Sequence, residues 1–175
     1  MDESADSPAP VPEAALWLPG TALSCYEGDD ALRDWLLTPG LLTQRIKAAA
    51  GAQFVMHLLD ERRHGRSFIR EIDMCCAGVV WLFAHTRVPE ATAARHPWLT
   101  CIGERSLGEA LAEHPELERA PFRYAKLYPD AWLLERALAH ASLAPQPLWV
   151  RHSAFILPDG GFDLYEVFFP QLGRP

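Results

Sequence analysis

The sequence predicts an α+β fold, a single domain with a central antiparallel sheet flanked by helices. Three observations predict it. Apolar residues recur at every second position in several segments, the period of a half-buried strand. These segments come in consecutive pairs joined by short turn signals. Helical stretches are grouped before and between the pairs, without the long strand–helix alternation that builds a parallel sheet. At 175 residues, 49% hydrophobic and 22% charged, the chain suits one soluble domain with a sizeable core.

The elements follow in order. Residues 1–12 are rich in Pro, Ala, Ser and acid and are expected to form a disordered tail, leaving 13–175 as the domain. Asp29 and Asp30 precede Ala31-Leu32-Arg33-Asp34-Trp35-Leu36-Leu37, a short helix with acids at its positive end. Pro39-Gly40 breaks it, and a second helix runs from Leu41 to Ala50, closed by Gly51. Phe54–Leu59 and Ser67–Cys76 are expected strands, with the polar run Asp60–Arg66 as the loop between them. Ala77-Gly78 turns into a third strand, Val79–Val88, which ends at Pro89. Helices are expected at about Ser106–Glu113 and Pro129–His140, with a strand at Phe122–Leu127. Trp149–Leu157 and Phe162–Phe169 flank Pro158-Asp159-Gly160-Gly161, a strong hairpin signal.

Bulk charge and cysteine usage narrow the function classes. The net charge of -7 and absence of a basic stripe argue against nucleic-acid binding, while a local positive pocket for an anion stays compatible with it. Cys25, Cys75, Cys76 and Cys101 form no Cys-x-x-Cys pair, so neither a zinc site nor a disulfide framework is expected, and a reducing cytoplasm fits best. No stretch is apolar and long enough to span a membrane. The seven histidines show no metal spacing, and His57, His85 and His152 fall in strands as structural histidines. Phosphate-loop, dinucleotide and Gly-x-Ser-x-Gly signatures are absent.

Two charges stand out. Counting every second residue from Phe68 gives Phe68, Arg70, Ile72 and Met74; from Phe162 it gives Phe162, Leu164, Glu166 and Phe168. Arg70 and Glu166 therefore point to an apolar side of their strands, where an unpaired charge is costly. Either they form an internal ion pair or they line a pocket for a polar ligand. An arginine fork suits a carboxylate, and a glutamate in apolar surroundings can accept a proton or bond a hydroxyl. Ser106-Leu107-Gly108-Glu109 matches a capping box, where free N–H groups can meet an anion, although such a box by itself marks only a helix start.

Taken together, these segments resemble the chorismate pyruvate-lyase family. Its Asp-Trp-Leu helix and Thr-x-Arg turn are matched by Asp34-Trp35-Leu36 and Thr43-Gln44-Arg45. Its Arg-Glu strand is matched by Arg70-Glu71, and its Thr-x-Val-Pro hairpin end by Thr86-Arg87-Val88-Pro89. Leu107-Gly108 matches a helix start, Leu148-Trp149-Val150-Arg151 the Leu-Trp-x-Arg segment, and Glu166-Val167-Phe168-Phe169-Pro170 the terminal Glu-x-Phe-x-Pro. The likeness runs from about Leu32 onward. It implies a chorismate lyase-like fold, chorismate as substrate, 4-hydroxybenzoate and pyruvate as products for ubiquinone biosynthesis, and no cofactor or metal. It also implies substrate-binding roles for Arg70 and Glu166, which carry the chemistry, and for the backbone N–H groups of Leu42 and Leu107. The chain departs from the family in a short segment between Leu59 and Phe68, and in Leu41 and Leu42, where a small polar residue and Met also occur. Two other readings stay open: another chorismate-cleaving enzyme with a different product, or a non-catalytic small-molecule sensor of the same fold. Such sensors usually follow a winged helix, for which the short acidic leading segment leaves no room. A monomer is expected, because an enclosed pocket needs no partner chain.

Overall fold

A computed structural model of the chain describes residues 16–23, 28–40 and 42–174; the expected tail at 1–12, Cys25 and Leu41 lie outside the described residues. A two-residue strand β1 (Leu18–Pro19) and one helical turn α1 (Gly20–Leu23) come first. Helix α2 (Asp30–Leu36) starts where expected because the Asp29 side chain accepts hydrogen bonds from the Ala31 and Leu32 N–H groups at 3.0 and 3.3 Å, the usual N-cap arrangement. Helix α3 (Leu42–Ala50) buries Leu42, Thr43, Ile46 and Ala50. It ends at Gly51, whose φ of 56° places it in the left-handed region.

Three long strands follow: β2 (Phe54–His64), β3 (Ser67–Cys76) and β4 (Val79–Pro89). Of the expected loop Asp60–Arg66, only Gly65 and Arg66 form the turn, and Asp60–His64 is strand. Strand β2 continues to His64, paired residue by residue with β3 from Asp60↔Glu71 to His64↔Ser67, after a bulge near Leu59. Because β2 is the edge of the sheet, its charged side chains can stay half-solvated while the backbone pairs on one side. The β3–β4 turn is made by Ala77 and Gly78, with φ of 50° and 78°, a tight connection of the kind expected.

A short helix α4 (Glu90–Arg95), a 3₁₀ turn at Pro97–Thr100, helix α5 (Leu107–Leu111) and strand β5 (Glu118–Arg119) occupy the middle. Both middle helices expected from sequence are shorter than their patterns suggested: α5 ends at Leu111, and α6 spans Trp132–Leu138. Strand β6 (Arg123–Leu127) lies between them, and the closing hairpin is β7 (Leu148–Leu157) with β8 (Gly160–Phe168). Its turn is narrower than predicted. Gly160 and Gly161 already pair with Leu157 and Ile156, and a Cβ on Gly161 would stand 2.6 Å from the Phe155 carbonyl oxygen.

All strand pairs are antiparallel, in the order β1-β6-β7-β8-β4-β3-β2, with β5 also beside β7. Every residue of β3 is buried, so both faces of the sheet are covered along this strand, next to the β2 edge. One face packs Cys75, Phe83, Val150, Tyr165 and Val167 against Leu133, Leu134 and Ala137 of α6. The other carries two apolar clusters. The first joins Ile72, Met74, Leu82 and Ala84 to Trp35 and Leu36 of α2 and to Leu42 and Ile46 of α3. The second joins Phe68, Val88, Phe155 and Phe162 to Leu99, Ile102 and Leu107.

Candidate active site

A cavity opens between those two clusters. Its floor is the sheet, with Arg70, Ile72 and Met74 from β3, Leu82, Ala84 and Thr86 from β4, Leu164 and Glu166 from β8, and Arg151, Ser153 and Phe155 from β7. Gly40, Leu42 and Thr43 close one side; Leu107, Gly108 and Leu111 close another. The four residues singled out from sequence, Leu42, Arg70, Leu107 and Glu166, all line this one cavity.

Arg70 and Glu166 do not pair with each other, so the simple internal ion pair is excluded among the described contacts. Arg70 is 2% exposed. One terminal nitrogen donates to the Gly103 and Arg105 carbonyls at 2.8 and 2.7 Å. Its Nε stands 3.2 Å from Glu61 Oε1, but the two groups are misaligned, and both buried atoms lack a hydrogen bond. Burial lowers the Arg70 pKa and the Glu61 charge opposes that. A buried charge left incompletely satisfied is what a site built for an outside anion would contain. The contact also shows what the short segment before Phe68 does: it supplies Glu61 to the pocket arginine.

Glu166 is 6% exposed. Its Oε2 accepts from Arg151 Nε at 2.8 Å, and Arg151 NH1 donates to the Thr38 carbonyl at 2.9 Å. Arg151 lies opposite Glu166 in the β7–β8 ladder, so register places the pair together. No hydrogen bond among the described residues engages Glu166 Oε1. The sequence reading missed this role of Arg151. Strand alternation with Trp149 and Phe155 gave a signal, yet only the register with β8 identifies its partner.

The two backbone positions are held by the motifs that surround them. Arg45 of α3 donates to the Asp34 carbonyl at 2.9 Å, bonds Thr38 Oγ1 and the Asp34 carboxylate, and stacks 3.9 Å over the Trp35 ring. The Asp-Trp-Leu and Thr-x-Arg segments thus clamp the turn that leads into Leu42. Leu107 begins α5 behind a complete capping box: Glu109 N–H donates to Ser106 Oγ at 3.2 Å, and Ser106 N–H to the Glu109 carboxylate at 3.0 Å. As first residues of their helices, Leu42 and Leu107 have N–H groups with no carbonyl one turn earlier in the helix.

One set of metal-ligating atoms lies elsewhere. His57 Nδ1, Asp73 Oδ1 and Cys75 Sγ cluster on the opposite face of the sheet. Nδ1 and Oδ1 are 2.6 Å apart, whereas a tetrahedral ion with bonds of roughly 2.0–2.3 Å spaces its ligand atoms by about 3.3 Å or more. Burial, helped by the Asp73 charge, pushes the Cys75 thiol up to about 12. The set is a hydrogen-bonded cluster. His85 and His152 likewise bond carboxylates, Glu71 at 2.9 Å and Asp163 at 2.8 Å. No helix among the described residues is long and apolar enough to cross a membrane.

A probable chorismate pyruvate-lyase of Nitrosomonas europaea is 34% identical over 121 residues, covering 68% of this chain and 67% of its own. One from Thiobacillus denitrificans is 30% identical over 175 residues, covering 91% of each chain. Among solved structures, a GntR-family transcriptional regulator from Bacillus cereus superposes with a TM-score of 0.50 at 15% identity, covering 69% of this chain and 94% of the regulator; that likeness concerns the fold alone. The family model for chorismate lyase matches residues 11–172, and the chain belongs to the chorismate lyase family.

Proposed function

We propose that this chain is a chorismate pyruvate-lyase that converts chorismate to 4-hydroxybenzoate and pyruvate, a cytoplasmic, monomeric enzyme supplying ubiquinone biosynthesis. The observation that carries this reading is the convergence of Leu42, Arg70, Leu107 and Glu166, from four separate elements, on one cavity. Arg70 and the N–H groups of Leu42 and Leu107 hold the ring carboxylate. Glu166 Oε1 faces the ring hydroxyl, while Arg151 keeps the carboxylate oriented through Oε2.

The reaction removes the hydrogen at ring C4 and breaks the ether bond at C3. The C4–H electrons complete the aromatic ring, the ether electrons leave with the enolpyruvyl oxygen, and a proton returned to its methylene carbon gives pyruvate. Aromatisation drives the step, so the protein contributes chiefly orientation and exclusion of water. Leu42, Leu107, Ile72 and Met74 provide the apolar walls. Such an elimination needs neither metal nor organic cofactor.

The test is to incubate the purified protein with chorismate, without added metal, and to measure 4-hydroxybenzoate and pyruvate together. Equal amounts of both, above the uncatalysed background, are expected. Pyruvate with a different partner would establish another chorismate-cleaving activity, and binding without turnover would leave a sensor. Glu166→Gln, which keeps the shape but not the charge, should retain the fold and lower kcat; unchanged turnover would remove Glu166 from the chemistry.

A further inference from the structure

Resting on that reading, the substrate has two carboxylates, one on the ring and one on the enolpyruvyl ether, and the residues assigned so far serve only the first. Three guanidinium groups line the cavity: Arg70, Arg119 and Arg151. Two of them face carboxylates of the protein, Arg70 with Glu61 and Arg151 with Glu166. Arg119 has no carboxylate partner among the described residues. Its side chain donates one hydrogen bond, to the Pro39 carbonyl at 2.6 Å, and lies 4.2 Å over the Phe122 ring, which also carries the Arg151 guanidinium at 4.2 Å. Arg119 is thus a positioned cation at the cavity wall that feels the Glu166 charge but forms no ion pair among the described residues.

Its place in the sheet matches the missing contact. Arg70 is on β3 and Arg119 on β5, with β4, β8 and β7 between them. Four strand steps of about 4.8 Å separate the two backbones by roughly 19 Å, and the two long side chains reach into that gap from its ends. Glu166 lies between them on β8. A ligand with an anion at each end and a hydroxyl between suits that order, with the enolpyruvyl ether at C3 next to the hydroxyl at C4. We propose that Arg119 binds the carboxylate of the enolpyruvyl group and orients the departing pyruvate. Burial lowers the Arg119 pKa and the neighbouring Arg151 charge lowers it further, while the Glu166 charge opposes them.

The product 4-hydroxybenzoate lacks this second carboxylate, which makes the inference testable separately. Chorismate KM and turnover, and the Kd for both chorismate and 4-hydroxybenzoate, are measured for wild type, Arg119→Ala and Arg119→Lys, with thermal midpoints to check folding. Arg119→Ala should weaken chorismate binding about 10-fold or more, the size of one charge-assisted hydrogen bond. It should leave 4-hydroxybenzoate affinity within about twofold, and Arg119→Lys should restore part of the loss. An equal loss for both ligands would make Arg119 a wall support acting through Pro39 and Phe122, and would overturn the proposal. Unchanged chorismate affinity in Arg119→Ala, with a wild type that turns chorismate over, would overturn it while leaving the proposed function standing. A wild type that binds no chorismate would remove both.

Discussion

Arg70 and Glu71 are adjacent in the chain and lie on opposite faces of one strand, and the two faces treat their charges differently. On the α6 side, Glu71 is 0% exposed and fully engaged. His85 Nδ1 lies 2.9 Å from Oε1, Arg136 Nε donates to the same oxygen at 3.2 Å, and the Arg136 terminal nitrogen bonds Oε2. Arg136 also reaches Asp60 at 3.5 Å, and Arg62 pairs with Asp60. The His85 ring packs edge-on against Trp132 at 5.1 Å. On the cavity side and among the described residues, Arg70 has a misaligned carboxylate, Glu166 has one oxygen without a protein donor, and Arg119 has no ion-pair partner. Buried charge alone therefore does not mark a binding site. The mark is whether the protein's own groups satisfy it.

The largest expected effect probes the satisfied face. Glu71→Ala would leave His85 and Arg136 without their shared acceptor and should cost about 3–5 kcal/mol of stability in urea unfolding, the range for breaking a buried pair. A loss below about 1 kcal/mol would mean that this network is not what holds β3 against α6.

Acid should act on the same group. Burial alone would raise the Glu71 pKa, but the hydrogen bonds from His85 and Arg136, with their charges, outweigh it and hold it at about 2 against an ordinary 4.5. A depressed folded-state pKa means the stabilisation is fully present above about 4.5 and is lost as pH falls towards 2. Its full size is about 3 kcal/mol. Unfolding free energy should therefore decline through that window, and Glu71→Gln should show a shallower decline than wild type. Parallel profiles would assign the acid sensitivity to other carboxylates.

Arg70→Ala tests the incompletely satisfied face. The affinity for 4-hydroxybenzoate, read by calorimetry, should fall by about 1.5–3 kcal/mol, the worth of a charge-assisted contact. Its stability cost should be smaller than that of Glu71→Ala, because Glu61 is partly exposed and can recover hydration. The reverse ranking would break the comparison between the faces. The smallest effect belongs to the wall: Ser106→Ala removes one half of the capping box and should cost about 1 kcal/mol. Because the Leu107 N–H is assigned to the ring carboxylate, 4-hydroxybenzoate binding should weaken by more than about twofold as well; unchanged binding would remove the start of α5 from the anion site.

Much of this was legible in the sequence because it depends on local rules. Strand alternation put Arg70 and Glu166 on apolar sides of β3 and β8, and both face the cavity. Turn chemistry at Ala77-Gly78, the helix start after Asp29 and the Ser106–Glu109 box were read correctly because each acts within a few residues. Asp60–His64 was misread because its polarity suggests a loop, while an edge strand can keep such side chains in water and still pair its backbone. What only the tertiary structure decided is who meets whom. Register set Arg151 opposite Glu166, the β2–β3 pairing brought Glu61 to Arg70, and the β5–β7 pairing delivered Arg119 to the same cavity. These pairings join residues far apart in sequence, so their energies appear only when the sheet closes, and no local pattern in the chain records them.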